Sequence, residues 1–264
     1  MLIRHIISLP LVRYVLLSAL RDKVLFSILF IIALALSLSV FLGSSALVEK
    51  NASVSVYSAG AIRFSGILGL ILFVVFYIRR SFDSRDVDFL LSRPLSRLNY
   101  VTSHFIAFSI IALSFMVLSA LAVLPFASGV DLHAKLLWTL SLGFEYIIMA
   151  TAAMFFAMVI SSASASALVT LSFYVLARLI GQLLNIVASH KVMVSESQTV
   201  STIVENIMVS ISLFVPRLDL MAQTSWLIYG VEGLVGYGFV FYHGIVFSLF
   251  LLCATLIDLL KREF

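Results

Sequence analysis

The chain has 264 residues, of which 62% are hydrophobic and 11% charged, and its mean hydropathy is +1.16. A soluble domain carries about 25% charged residues, so the composition excludes a separate soluble domain and points to an integral membrane protein throughout. The net charge of +4 does not argue for nucleic acid, because basic residues in such proteins mark cytoplasmic loops.

Residues 2–23 are apolar but interrupted by Arg4, His5, Arg13, Arg21, Asp22 and Lys23. Pro10 suits a first helical position, and Leu11, Val12, Val15, Leu16 and Ala19 recur at helical spacing. The pattern predicts an interfacial elbow helix on the cytoplasmic leaflet. It lacks the apolar core and small-residue cleavage site of a signal peptide. Span one follows at 24–48, longer than the ~20 residues a helix needs to cross. Span two is expected at 61–78, entered past Arg63 and ended by Arg79 and Arg80. Span three is expected at 100–126, closed by Pro125, and span four at 136–160. The run Ser161–Ser166 is a small-residue turn into span five at 167–188. Span six is expected at 239–260. The single cysteine, Cys253, excludes an intramolecular disulfide.

Residues 189–238 form an outer segment. Val200, Ile203, Val204, Ile207, Met208 and Ile211 have helical spacing, but Glu205, Asn206 and Ser210 interrupt them. With six spans and both termini cytoplasmic, the inner side holds Arg4, Arg13, Arg21, Lys23, Arg79, Arg80, Arg85, Arg93, Arg97, Lys261 and Arg262. The outer side holds Lys50, Arg63, Lys135, Lys191 and Arg217. This asymmetry follows the positive-inside rule, and a seventh span would reverse Lys261 and Arg262. Residues 199–215 therefore read as an amphipathic helix on, or dipping into, the outer leaflet, with Trp226, Tyr229, Tyr237 and Tyr242 as interfacial aromatics.

The long polar segment 79–99 lies between spans two and three. Within it, Asp83 to Ser92 reads as a short amphipathic helix. Val87, Leu90 and Leu91 form its apolar ridge, flanked by Arg85, Asp86, Asp88 and Ser92, and Pro94 ends it. Phe89 and Arg93 are of the residue types that anchor interfaces. A topogenic loop needs neither the three acids nor the proline-terminated turn, so this element reads as a docking helix.

A second feature lies within the membrane. Glu145 and Arg178 fall nine and ten residues from the outer ends of spans four and five, roughly 13–15 Å deep at 1.5 Å per residue. Ionisable groups at that depth pair or face a cavity. Arg178, Gln182 and Asn185 share one face of span five. A Glu145–Arg178 pair is therefore expected, either lining a substrate path or simply holding the two spans together. No metal-ligand spacing, nucleophile elbow or P-loop occurs, so ATP is not bound by this chain.

Taken together, Ala19–Phe26 (ALRDKVLF), Asp88–Phe105 (DFLLSRPLSRLNYVTSHF) and Val215–Leu220 (VPRLDL) resemble the permease subunits of ABC-2-type transporters, over nearly the whole chain. The most specific element is Leu90–Arg97 (LLSRPLSR), which in that family follows a coupling helix seated in a groove of the ATPase. Arg85 and Asp86 stand here where the family usually has Gly and Thr, and His104 where it commonly has Lys. The resemblance implies an all-α membrane domain of six spans in a bacterial cytoplasmic membrane. It also implies two copies of a separately encoded ATPase carrying ATP and Mg, and a second permease copy or a homologous permease. The expected activity is ATP-driven export of an unidentified substrate, with this chain holding no cofactor or metal. Two other readings stand beside it. One is a non-transporting subunit that couples ATP hydrolysis to maturation of an outer partner protein. The other is a polytopic lipid-modifying enzyme, for which a catalytic cluster is missing.

Overall fold

The computed structural model describes residues 7–45, 50–84, 96–127, 129–193, 215–231 and 235–261, without the side chains of 23–25, 28, 50 and 183–193. Among them the chain is all helical, with no strand. The elements are α1 (Leu9–Arg21), α2 (Lys23–Ser44), α3 (Lys50–Asp83), α4 (Arg97–Val123), α5 (Leu132–Val159), α6 (Ala163–Met193), α7 (Trp226–Tyr229) and α8 (Tyr237–Lys261). Two short 3-10 turns add Leu124–Phe126 and Leu218–Leu220. Among the described residues five helices are long and apolar enough to cross a membrane: α3, α4, α5, α6 and α8. In α2 the shorter run Leu29–Ser44 is apolar. Helices are the form such runs must take, because in hydrocarbon each backbone N–H and C=O has to find its partner within the segment.

Local chemistry sets the helix ends. Ser96 accepts a hydrogen bond from the Asn99 amide and so caps the start of α4. Pro125, lacking an N–H, sits in the 3-10 turn that closes α4. Asp22 adopts extended backbone between α1 and α2, so the chain turns sharply there. Helix α3 begins at Lys50, eleven residues before the apolar core expected at 61–78. Its first turns, Asn51 to Ser58, are too polar to register as a span, yet Val54, Ser55 and Ser58 are buried.

Helix α5 is the centre of the bundle, packed by α3, α4, α6 and α8. Of its most apolar stretch 72% is buried, against 33% for α6 and 39% for α8. Ala150, Ala152, Ala153 and Ala157 explain the difference, since small side chains let neighbouring backbones approach where no hydrophobic effect draws helices together. Helix α1 lies on α4. It buries Leu11, Val12, Val15 and Ala19 and exposes Leu9, Tyr14, Leu17 and Leu20. The Ser8 amide, just before α1, donates to the buried Ser103 hydroxyl of α4.

Long-range contacts define two ends of the bundle. At the first, Arg97 at the start of α4 donates to the Leu259 and Leu260 carbonyls at the end of α8 (2.8 and 2.9 Å), and Arg80 pairs with Asp22 at 3.7 Å. At the second, the Tyr237 hydroxyl opening α8 donates to the His133 carbonyl opening α5.

Candidate functional site

Three ionisable side chains lie at one level midway along three helices. Counting from the first end, Arg63 is sixteen residues before Arg79, Glu145 fourteen before Val159, and Arg178 fifteen after Ala163. At 1.5 Å per residue all three stand roughly 21–24 Å from that end. Glu145 is fully buried. Arg178 Nη1 approaches its Oε1 to 3.6 Å, and Arg63 and Tyr174 also act on the carboxylate. Tyr174 lies one turn before Arg178 on the same face of α6.

The groups that meet these side chains belong to residues 215–227. Arg178 Nη1 donates to the Leu218 carbonyl and, at 2.8 Å, to that of Met221. Arg63 Nη1 donates to the Ala222 carbonyl at 2.6 Å, and the Ala222 amide donates to the Ser141 hydroxyl at 2.8 Å. Ser141 lies one turn from Glu145 on α5. Leu218, Met221, Ala222, Trp226 and Leu227 are buried. Non-helical backbone at membrane depth is tolerated only inside protein, and here arginine and serine side chains supply its partners.

The same segment carries its own ion pair. Arg217 meets Asp219 in a two-pronged contact, Nε to Oδ1 at 3.1 Å and Nη2 to Oδ2 at 2.8 Å. Those hydrogen bonds raise the pKa of Arg217 above its ordinary value. The Arg217 amide donates to Nε2 of His243 at 2.8 Å, whose ring stacks on Phe239. Gly181 of α6 makes room for the pair: a Cβ there would stand 2.6 Å from the Asp219 Cγ and 3.1 Å from Arg217 Nη2.

In the expected docking segment, Asp83 ends α3 instead of opening a separate helix, and it accepts from Arg79 at 2.8 Å across one turn. Arg85, Asp86, Val87, Asp88, Phe89, Leu90, Leu91 and Arg93 lie outside the described residues, as does nearly all of 199–215. The two ends of the segment are held. Arg79 is buried and lies over the Phe82 ring, while Arg97 caps the last carbonyls of α8, where a cation also meets the negative end of the helix dipole.

Of the expected polar stripe, Arg178 joins Glu145, whereas Gln182 is exposed and the Asn185 side chain lies outside the described residues. Trp226, expected at the interface, is buried against the core; Tyr229 and Tyr242 are exposed. His104 is buried within a ring cluster of Tyr77, Tyr100 and Phe108. Arg63, Ser141, Tyr174 and His243 were not singled out from the sequence. For Arg63 a signal exists: its distance from Arg79 nearly equals that of Glu145 from the end of α5. Among the described residues no group of three or more His, Cys, Asp or Glu is placed to hold a metal. No protein-family model matches the chain, and no curated protein matches it in sequence.

Proposed function

We propose that this chain is the membrane subunit of an ATP-driven exporter of the ABC-2 type, working with a separately encoded ATPase in a bacterial cytoplasmic membrane. In this reading α2 is the first of six spans, α1 is the elbow helix on the inner leaflet, and both termini are cytoplasmic. The first end of the bundle then faces the ATPase. The observation that carries the reading is the anchorage of segment 79–99 at its two ends. Arg79 and Asp83 hold it to the last turn of α3, and Arg97 ties its exit to the final turn of α8.

A docking helix transmits force only if its ends cannot yield independently of the spans. Here a push on residues 85–93 would reach α4 directly and α8 through Arg97. Both helices pack on α5, and α5 carries Glu145 at mid-depth. Displacement at the ATPase face would thus arrive at the Glu145–Arg178 pair and the outer segment above it. ATP and Mg belong to the partner, and a second permease copy completes the path.

Copurification from the native membrane tests the reading. A nucleotide-binding subunit should accompany the tagged wild-type chain and be lost from the folded Leu90→Asp/Leu91→Asp variant. A wild-type chain that emerges alone, with no ATPase activity recoverable in mild detergent, would overturn it.

A further inference from the structure

The donors of Arg63 and Arg178 have two sets of acceptors, and the structure satisfies one of them. Neither oxygen of the fully buried Glu145 carboxylate accepts a hydrogen bond from a guanidinium: its polar neighbour is the Tyr174 hydroxyl, and 3.6 Å from Arg178 Nη1 to Oε1 is too long for a bond. The same Nη1 instead bonds the carbonyls of Leu218 and Met221, and Arg63 bonds that of Ala222. A carboxylate is the stronger acceptor for guanidinium, especially when both prongs engage, and a buried carboxylate not bonded to a cation is unfavourable. Two cations are thus turned toward neutral carbonyls with an anion beside them.

Two more features show that this arrangement is held against alternatives. Ala222 has φ +45°, a left-handed conformation uncommon for a residue with a Cβ. It lies where the Arg63 and Ser141 bonds converge. Arg217 and Asp219 neutralise one another within the segment, so residues 215–227 can shift outward without stranding a lone charge.

We propose that residues 215–227 form a two-state latch over the centre of the bundle. In the docked state, seen here, Arg63 and Arg178 hold the Leu218, Met221 and Ala222 carbonyls. In the released state the two guanidinium groups close onto Glu145, the carbonyls pass to water, and the level of Glu145 opens toward the second end of the bundle. Glu145 therefore favours release: it is the competing acceptor, not a pin that keeps the segment in place. The latch goes beyond the transporter reading and needs no ATPase to be observed.

The test uses the full chain in lipid nanodiscs, with the exposed Cys253 replaced by Ser and the fully buried Met221 replaced by Cys. The alkylation rate of that thiol by N-ethylmaleimide reports the released population. E145Q removes the competing anion and is expected to slow labelling about tenfold. Faster labelling in E145Q would make Glu145 a structural pin and overturn the proposal, as would a thiol that stays unreactive in every variant. If E145Q does not fold, Ser141→Ala decides, because it deletes one docked-state hydrogen bond and leaves the carboxylate. Faster labelling at unchanged melting temperature supports the latch, and an unchanged rate overturns it.

Discussion

Gly66, Ser119 and Tyr146 bring α3, α4 and α5 together, and a single methyl group tests that packing. The Tyr146 hydroxyl shares a 3.0 Å hydrogen bond with Ser119, and both residues are buried. A Cβ on Gly66 would stand 2.5 Å from the Tyr146 hydroxyl oxygen and 3.0 Å from Cζ. The ring is wholly buried and cannot swing into free space. Alanine is the better helix former by roughly 0.8–1 kcal/mol, so any net loss in Gly66→Ala has to come from this contact. Overpacking costs about 1–3 kcal/mol, and breaking the buried hydrogen bond adds about 1–2 kcal/mol. After the propensity gain, the expected net loss is about 1–4 kcal/mol. At roughly 2–4 °C per kcal/mol for a chain of this size, thermal unfolding followed by size-exclusion chromatography in mild detergent resolves it. Tyr146→Phe alone loses only the hydrogen bond, about 1 kcal/mol. In the double variant the nearest contact recedes to the 3.0 Å of Cζ, so part of the stability returns and the double variant's loss falls short of the sum of the two single losses by about 1 kcal/mol or more. Losses that add within about 0.5 kcal/mol, as independent sites do, would refute the reasoning.

Further predictions concern the ends of the bundle and residues 215–227. Arg97→Gln removes the bonds to the Leu259 and Leu260 carbonyls, which are worth about 1–2 kcal/mol. Hydrogen exchange in the last turn of α8 should accelerate about tenfold while α5 is unchanged. Ser103→Ala deletes the acceptor of the Ser8 amide, so limited proteolysis near the start of α1 should speed several-fold without a matching fall in melting temperature. Gly181→Ala drives a methyl group into the Arg217–Asp219 pair, and because neither partner can retreat into α6, the segment is displaced. Alkylation of the Met221→Cys thiol should rise several-fold over the same background with Gly181 intact.

Where the apolar runs lie, the sequence alone determines that helices form, because the backbone in hydrocarbon has no other way to satisfy its polar groups. The start of α3 was less legible. Lys50 to Gly60 is rich in serine, and hydropathy does not register serines whose hydroxyls bond back to the helix, as that of Ser55 does to Asn51. Glu145 and Arg178 stood out from the sequence because charge at mid-membrane is expensive wherever it occurs. Their partners did not. Arg63 looked like a residue at the mouth of a span, yet it bonds a carbonyl 159 positions away. Trp226 looked interfacial until 215–227 folded inward and buried it. Composition and spacing report what each segment needs from its solvent, whether lipid or water. Only tertiary structure decides which distant backbone group answers a buried charge, because that depends on the chain returning to the same depth from another part of the sequence.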